Sequence, residues 1–157
     1  TKALRYYTEL GGYTLDGRQW TSLCGLFGTW QGFGPVFVNP PYGDQLEVWA
    51  PKISREGAEL ADPMIALVPA RTDTGWWHTL ISTASAVCFI RGRLKFGRVA
   101  ASRRQTYLFA AGSEEAGHEG TDAAPFPSAL VFWCGDEIGR VEHFHAETER
   151  LGWTVAA

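Results

Sequence analysis

The sequence predicts an α/β fold carried on one sheet. Short apolar or β-branched runs recur at 35–38, 64–68, 86–90 and 129–134, and helix-like stretches at 45–60, 73–83 and 138–151 follow three of them. At 157 residues and 45% hydrophobic content, the chain has the size and core material of a single domain, expected to span residues 1–157.

Taken in order, Ala3–Thr8 is short and aromatic and reads as a strand. Residues 9–34 are rich in Gly and Trp with little periodicity, so a loop is expected there, with a helical turn near Gln19–Leu26. Pro35–Val38 reads as a buried strand. Gln45–Leu60 places Leu46, Trp49 and Ile53 on one side of a helix, and Pro51 inside that pattern predicts a kink or a delayed start. Met64–Val68 is a continuous apolar run after Asp62-Pro63, the pattern of a strand buried on both faces. A helix follows from Asp73 or Thr74 to about Thr83, with Trp77, Leu80 and Ile81 facing in. Ala86–Ile90 and Ala129–Cys134 are the remaining strands. No helix separates these two, so they are expected to pair as an antiparallel hairpin at the sheet edge. Ile138–Leu151 reads as a C-terminal helix with Val141, Phe144 and Leu151 inward.

Ligands of such sheets bind beyond the carboxyl ends of the strands. Three polar segments stand there: Asn39–Tyr42, Pro69–Asp73 and Arg91–Phe96. The first is the most telling. Val36-Phe37-Val38 ends abruptly in Asn39-Pro40-Pro41-Tyr42. Two prolines with fixed φ and no N–H make this a rigid loop. It presents fixed acceptors, the Asn39 side-chain oxygen and the Asn39 and Pro40 carbonyls, beside the aromatic face of Tyr42. Such a site suits a planar group bearing an exocyclic NH2. The matching chemistry is methyl transfer to that nitrogen. Acceptors aimed at the N–H bonds favour a pyramidal nitrogen and stabilise the positive charge that develops as the methyl arrives. Stacking on Tyr42 would hold the ring still, and a base in a duplex would first have to be flipped out. The plainer reading is a turn, since Asn-Pro and Pro-Pro are ordinary loop punctuation.

The chain carries a net charge of −3, so bulk charge does not point to nucleic acid. Arg91, Arg93 and Lys95, extended by Arg98, Arg103 and Arg104, form a local basic stretch interleaved with Phe96. They read either as phosphate and base contacts or as a solvated strand edge. Arg71 and Asp73 read either as a substrate or cofactor contact, or as a helix cap with a surface ion pair. Trp76, Trp77 and His78 read as packing, and His143 and His145 as surface. Cys24, Cys88 and Cys134 show neither metal spacing nor a disulfide framework and are expected to be reduced core thiols of a cytosolic protein. No metal site, signal peptide or membrane span is expected.

With these blocks in place, the chain resembles the phage-type DNA N6-adenine methyltransferases, the Dam family of phages and prophages. The resemblance rests on Val36–Gly43, Leu67–His78, Phe89–Phe96 and Ala124–Val131. It implies an S-adenosylmethionine-dependent, Rossmann-like sheet with a terminal antiparallel hairpin, acting on DNA in the bacterial cytoplasm. It makes Asn39, Pro40, Pro41 and Tyr42 the catalytic loop and places Asp16, Phe37 and Asn39 at the cofactor. Arg71, Asp73, Arg91, Arg93, Lys95 and Phe96 would contact DNA. Attack by an exocyclic nitrogen implies no covalent enzyme intermediate. The family's upstream cofactor-binding segment has no clear match here. The chain opens at Thr1 in what reads as mid-domain sequence, so an N-terminal portion is expected to be missing or supplied elsewhere. Two rivals remain: an amino-methyltransferase acting on a protein amide, and an inactive or incomplete DNA-binding module of the same fold. The sequence leaves the oligomeric state open.

Overall fold

The computed structural model describes residues 5–8, 11–14, 19–20, 25–32, 34–95 and 123–156. The chain forms two compact units, one of Thr1–Phe27 with Arg93–Pro125 and one of Gly28–Gly92 with Phe126–Ala157. Asp16, Cys24, Phe96, Arg98, Arg103 and Arg104 lie outside the described residues.

In the first unit, β1 (Arg5–Thr8), β2 (Gly11–Thr14) and β3 (Gln19–Trp20) form an antiparallel sheet in that order. β1 pairs with β2 with Arg5 opposite Thr14 and Thr8 opposite Gly11. Lys95 bridges Ala123 in the same unit, and the Ala124 N–H donates to the Leu94 carbonyl at 2.8 Å.

The second unit holds β4 (Val36–Val38), α1 (Leu46–Glu59), β5 (Met64–Pro69), α2 (Gly75–Ile81), β6 (Ala86–Ile90), β7 (Ser128–Trp133), α3 (Arg140–Thr148) and β8 (Gly152–Ala156). Its five-stranded sheet runs β4-β5-β7-β6-β8. β4 and β5 are parallel, while β7 is antiparallel to both β5 and β6. β4, β5 and β6 therefore share one direction, and their carboxyl ends lie at one edge with the amino end of β7.

β6 and β7 do pair antiparallel, but the pair does not end the sheet. β7 inserts beside β5, and β8 adds outside β6. Burial explains the order. β7 is buried along nearly its whole length, as befits an interior strand covered on both faces. β8 is half-exposed, with Trp153 75% exposed, and suits the rim. The C-terminal helix accordingly stops at Thr148, and Leu151 belongs to the turn into β8.

Successive β7 side chains point to opposite faces. Phe132 stacks on Phe144 of α3, with centroids 4.5 Å apart and planes within 7°. Trp133 faces the other way, toward α1. There Gly57 lets the helix approach closely, since an added Cβ would stand 2.5 Å from Met64 and 2.6 Å from the Trp133 ring. Trp133 Nε1 donates to Thr83 Oγ1 at 3.0 Å, and Thr83 Oγ1 donates to the Ser54 carbonyl, so the turn after α2 is tied to α1.

α1 begins at Leu46 despite Pro51. Glu47 and Pro51 are both exposed, so water can satisfy the carbonyl that Pro51 cannot. The buried side of α1 carries a pair the sequence does not flag as buried: Lys52 and Glu56 bond at 2.5 Å, each under a tenth exposed. Lys52 also donates to the Gly28 carbonyl at 2.6 Å and lies over the Trp30 ring, while Glu56 accepts from the Trp30 N–H at 2.9 Å. The pair fixes residues 28–30 just ahead of β4.

Candidate active site

The Asn39–Tyr42 loop leaves the carboxyl end of β4 as the sequence predicts. Asn39 is exposed, Pro40 is buried and Pro41 and Tyr42 are half-buried. Pro40 thus anchors the loop while Asn39 faces outward. Gly43, with φ of 80°, turns the chain into a short 3-10 segment, Gly43–Gln45, that leads into α1. The Tyr42 hydroxyl donates to Asn39 Oδ1 at 2.9 Å. Burial raises the Tyr42 pKa to about 12, so the phenol keeps its proton at neutral pH.

The other carboxyl ends converge on the same edge. After β5, the Ala70 N–H donates to the Pro127 carbonyl at 2.9 Å, joining that loop to the approach to β7. One residue earlier, Phe126 meets Tyr42 edge-on, with centroids 5.3 Å apart and planes at 79°. Sequence reading missed Phe126 as a site residue because only the antiparallel pairing of β7 with β5 brings it beside Tyr42. Ser128 opens β7 opposite Pro69, and its Oγ is buried without a hydrogen-bond partner among the described residues.

Arg71 and Asp73 are exposed on the loop after β5, and among the described residues no ion pair joins them. Thr74 precedes α2, but its Oγ1 donates to the Arg71 carbonyl at 2.8 Å instead of capping the helix. The loop closes on itself and leaves both charges outward. Trp76 and Trp77 are packing residues, and Trp77 lies 6.0 Å from the Phe89 ring. Arg91 is exposed after β6, its N–H held by the Leu151 carbonyl at 2.8 Å. Arg93 and Lys95 belong to the other unit, where the Arg93 guanidinium donates to the Ala124 carbonyl at 3.3 Å. Phe37 is 46% exposed on β4.

Cys88 and Cys134 are free thiols, Cys88 buried and Cys134 partly so. Among the described residues no group of three or more His, Cys, Asp or Glu could hold a metal, and no helix is long and apolar enough to cross a membrane.

A mixed α/β sheet with a rigid Asn-Pro-Pro-Tyr loop at the carboxyl end of a parallel strand is compatible with a methyltransferase-like fold. The DNA N-6-adenine-methyltransferase (Dam) family matches residues 24–133, and the chain belongs to that family. The matched span runs through β4 to β7 and includes the loop, Arg71, Arg91 and Phe126. Comparison with curated proteins and with solved structures finds no match. Membership supports DNA adenine methylation, with DNA as substrate and S-adenosylmethionine as the methyl source implied by the family.

Proposed function

We propose that the chain methylates the exocyclic amino group of an adenine turned out of duplex DNA, and that residues 1–157 are one Rossmann-like methyltransferase domain. The observation that carries this reading is the Asn39–Tyr42 loop: an outward carboxamide and an aromatic ring held together at the carboxyl end of β4.

Asn39 Oδ1 and the Pro40 carbonyl accept from the two N–H bonds of the amino group and stabilise its growing positive charge. The Tyr42 ring stacks on the base, with Phe126 supporting it edge-on. The two prolines keep the acceptors in place, so little reorganisation accompanies the reaction. Arg71 and Arg91, exposed at the same edge, meet backbone phosphates; Arg93 and Lys95 are assigned to DNA by family resemblance. Asp73 and Phe96 complete the proposed DNA contacts. Phe37 and Asn39 fit S-adenosylmethionine chemically, offering ring surface and a carboxamide on one strand end, and Asp16 is assigned there by family resemblance. When bound, that cofactor supplies an electrophilic methyl on a positively charged sulfur. A phage or prophage protein acting in the bacterial cytoplasm fits this reading.

The test is methyl transfer to adenine-containing duplex DNA by the wild-type chain and by Asn39→Ala. We expect transfer by the first and loss of about a hundredfold or more in the second, with unchanged folding. Full activity in Asn39→Ala would overturn the mechanism. DNA binding without transfer by the wild type would favour a non-catalytic module, and transfer to a protein amide would favour the other rival.

A further inference from the structure

A carboxamide is nearly symmetric in shape but not in chemistry. One end accepts hydrogen bonds through two lone pairs, and the other only donates. Asn39 is exposed, and the terminal torsion of its side chain is intrinsically broad. If its NH2 faced an incoming amino group, donor would meet donor and the acceptor would be lost. The site needs something that decides which end points out.

The Tyr42 hydroxyl is placed to do so. It donates to Asn39 Oδ1 at 2.9 Å across a link of two prolines whose φ angles are fixed. Its own position is held by burial and by the Phe126 ring. One lone pair of Oδ1 is taken by this bond and the other stays available to a ligand.

We infer that Tyr42 is a positioning residue as well as a stacking one: its hydroxyl fixes the rotation of the Asn39 carboxamide so that the oxygen is presented to the amino group. This rests on the proposed function and adds to it a role for the hydroxyl that a stacking ring does not require. The raised pKa of Tyr42 agrees with a donor that keeps its proton throughout the neutral range.

Asn39 is the only asparagine in the chain, which makes the inference directly testable. Protein labelled with [15N]asparagine gives a single side-chain amide pair. Tyr42→Phe keeps the ring and removes the hydroxyl. We expect the amide pair to shift in Tyr42→Phe, kcat for adenine DNA to fall about tenfold or more, and KM for DNA to stay within about twofold. An unmoved amide pair, a kcat within about twofold of wild type, or a loss confined to KM would overturn the inference. The two readings separate cleanly. A wild-type chain that does not methylate adenine overturns the proposed function. The amide pair then decides by itself whether the hydroxyl holds the carboxamide.

Discussion

Phe126 and Tyr42 meet edge to face, with ring centroids 5.3 Å apart, although 84 positions separate them in the chain (126 minus 42). The contact exists because β7 runs antiparallel to β5, which brings the approach to β7 beside the carboxyl ends of β4 and β5. An aromatic pair of this geometry contributes about 0.5–1.5 kcal/mol beyond the area it buries. Phe126→Ala is therefore expected to lower kcat/KM for adenine DNA by roughly two- to tenfold, at about 1.4 kcal/mol per factor of ten. Steady-state kinetics would check this, and wild-type kinetics in the variant would mean that Tyr42 does not depend on its neighbour.

The Lys52–Glu56 pair should matter most when only one partner is removed. Glu56→Ala leaves the Lys52 ammonium buried and takes the carboxylate acceptor away from the Trp30 N–H. Breaking a buried pair this way costs about 3–5 kcal/mol. The expected result is a large drop in the denaturant midpoint, with Lys52→Met/Glu56→Leu recovering much of the loss. Equal destabilisation by single and double variants would contradict the assignment.

Ser128 presents the opposite case. Its hydroxyl is buried without a partner among the described residues, a desolvated polar group that water would otherwise satisfy. Ser128→Ala is expected to stabilise the chain by about 1 kcal/mol, read as a higher midpoint at unchanged slope in urea. A destabilised variant would show that the hydroxyl is paired in solution.

Tyr42 predicts the alkaline limb of stability. Its folded-state pKa is raised by burial from 10.0 to about 12, so the folded chain holds this proton more tightly than the unfolded chain. Its stabilising share is complete below pH 10 and declines as pH rises toward 12. Comparing thermal melts of wild type and Tyr42→Phe across that range isolates the component. Parallel curves would remove it.

Some of this molecule was legible from local chemistry. The apolar run at 64–68 reads as a buried strand and that at 86–90 as another strand, and they are β5 and β6. An abrupt Asn-Pro-Pro after Val-Phe-Val had to be a rigid loop, because proline fixes its own φ and restricts its neighbour whatever surrounds it. Trp77 and Leu80 share a helix face by their spacing and are buried as expected, and Trp76 packs as well. Other features were not legible. Gly152–Ala156 is too short and mixed to announce an edge strand, and it pairs only because β6 offers a free edge. Lys52 and Glu56 are an i,i+4 charge pair, which by itself reads as a solvated helix face.

The sequence by itself determined the strands β4 to β7 and the rigid loop after β4, because these follow from apolar runs and fixed dihedrals that each stretch carries whatever surrounds it. The tertiary structure alone decided the strand order, the burial of the Lys52–Glu56 pair and the meeting of Phe126 with Tyr42. Those depend on which surfaces exclude water together, and that is a property of packed elements at a distance, encoded in no single stretch of chain.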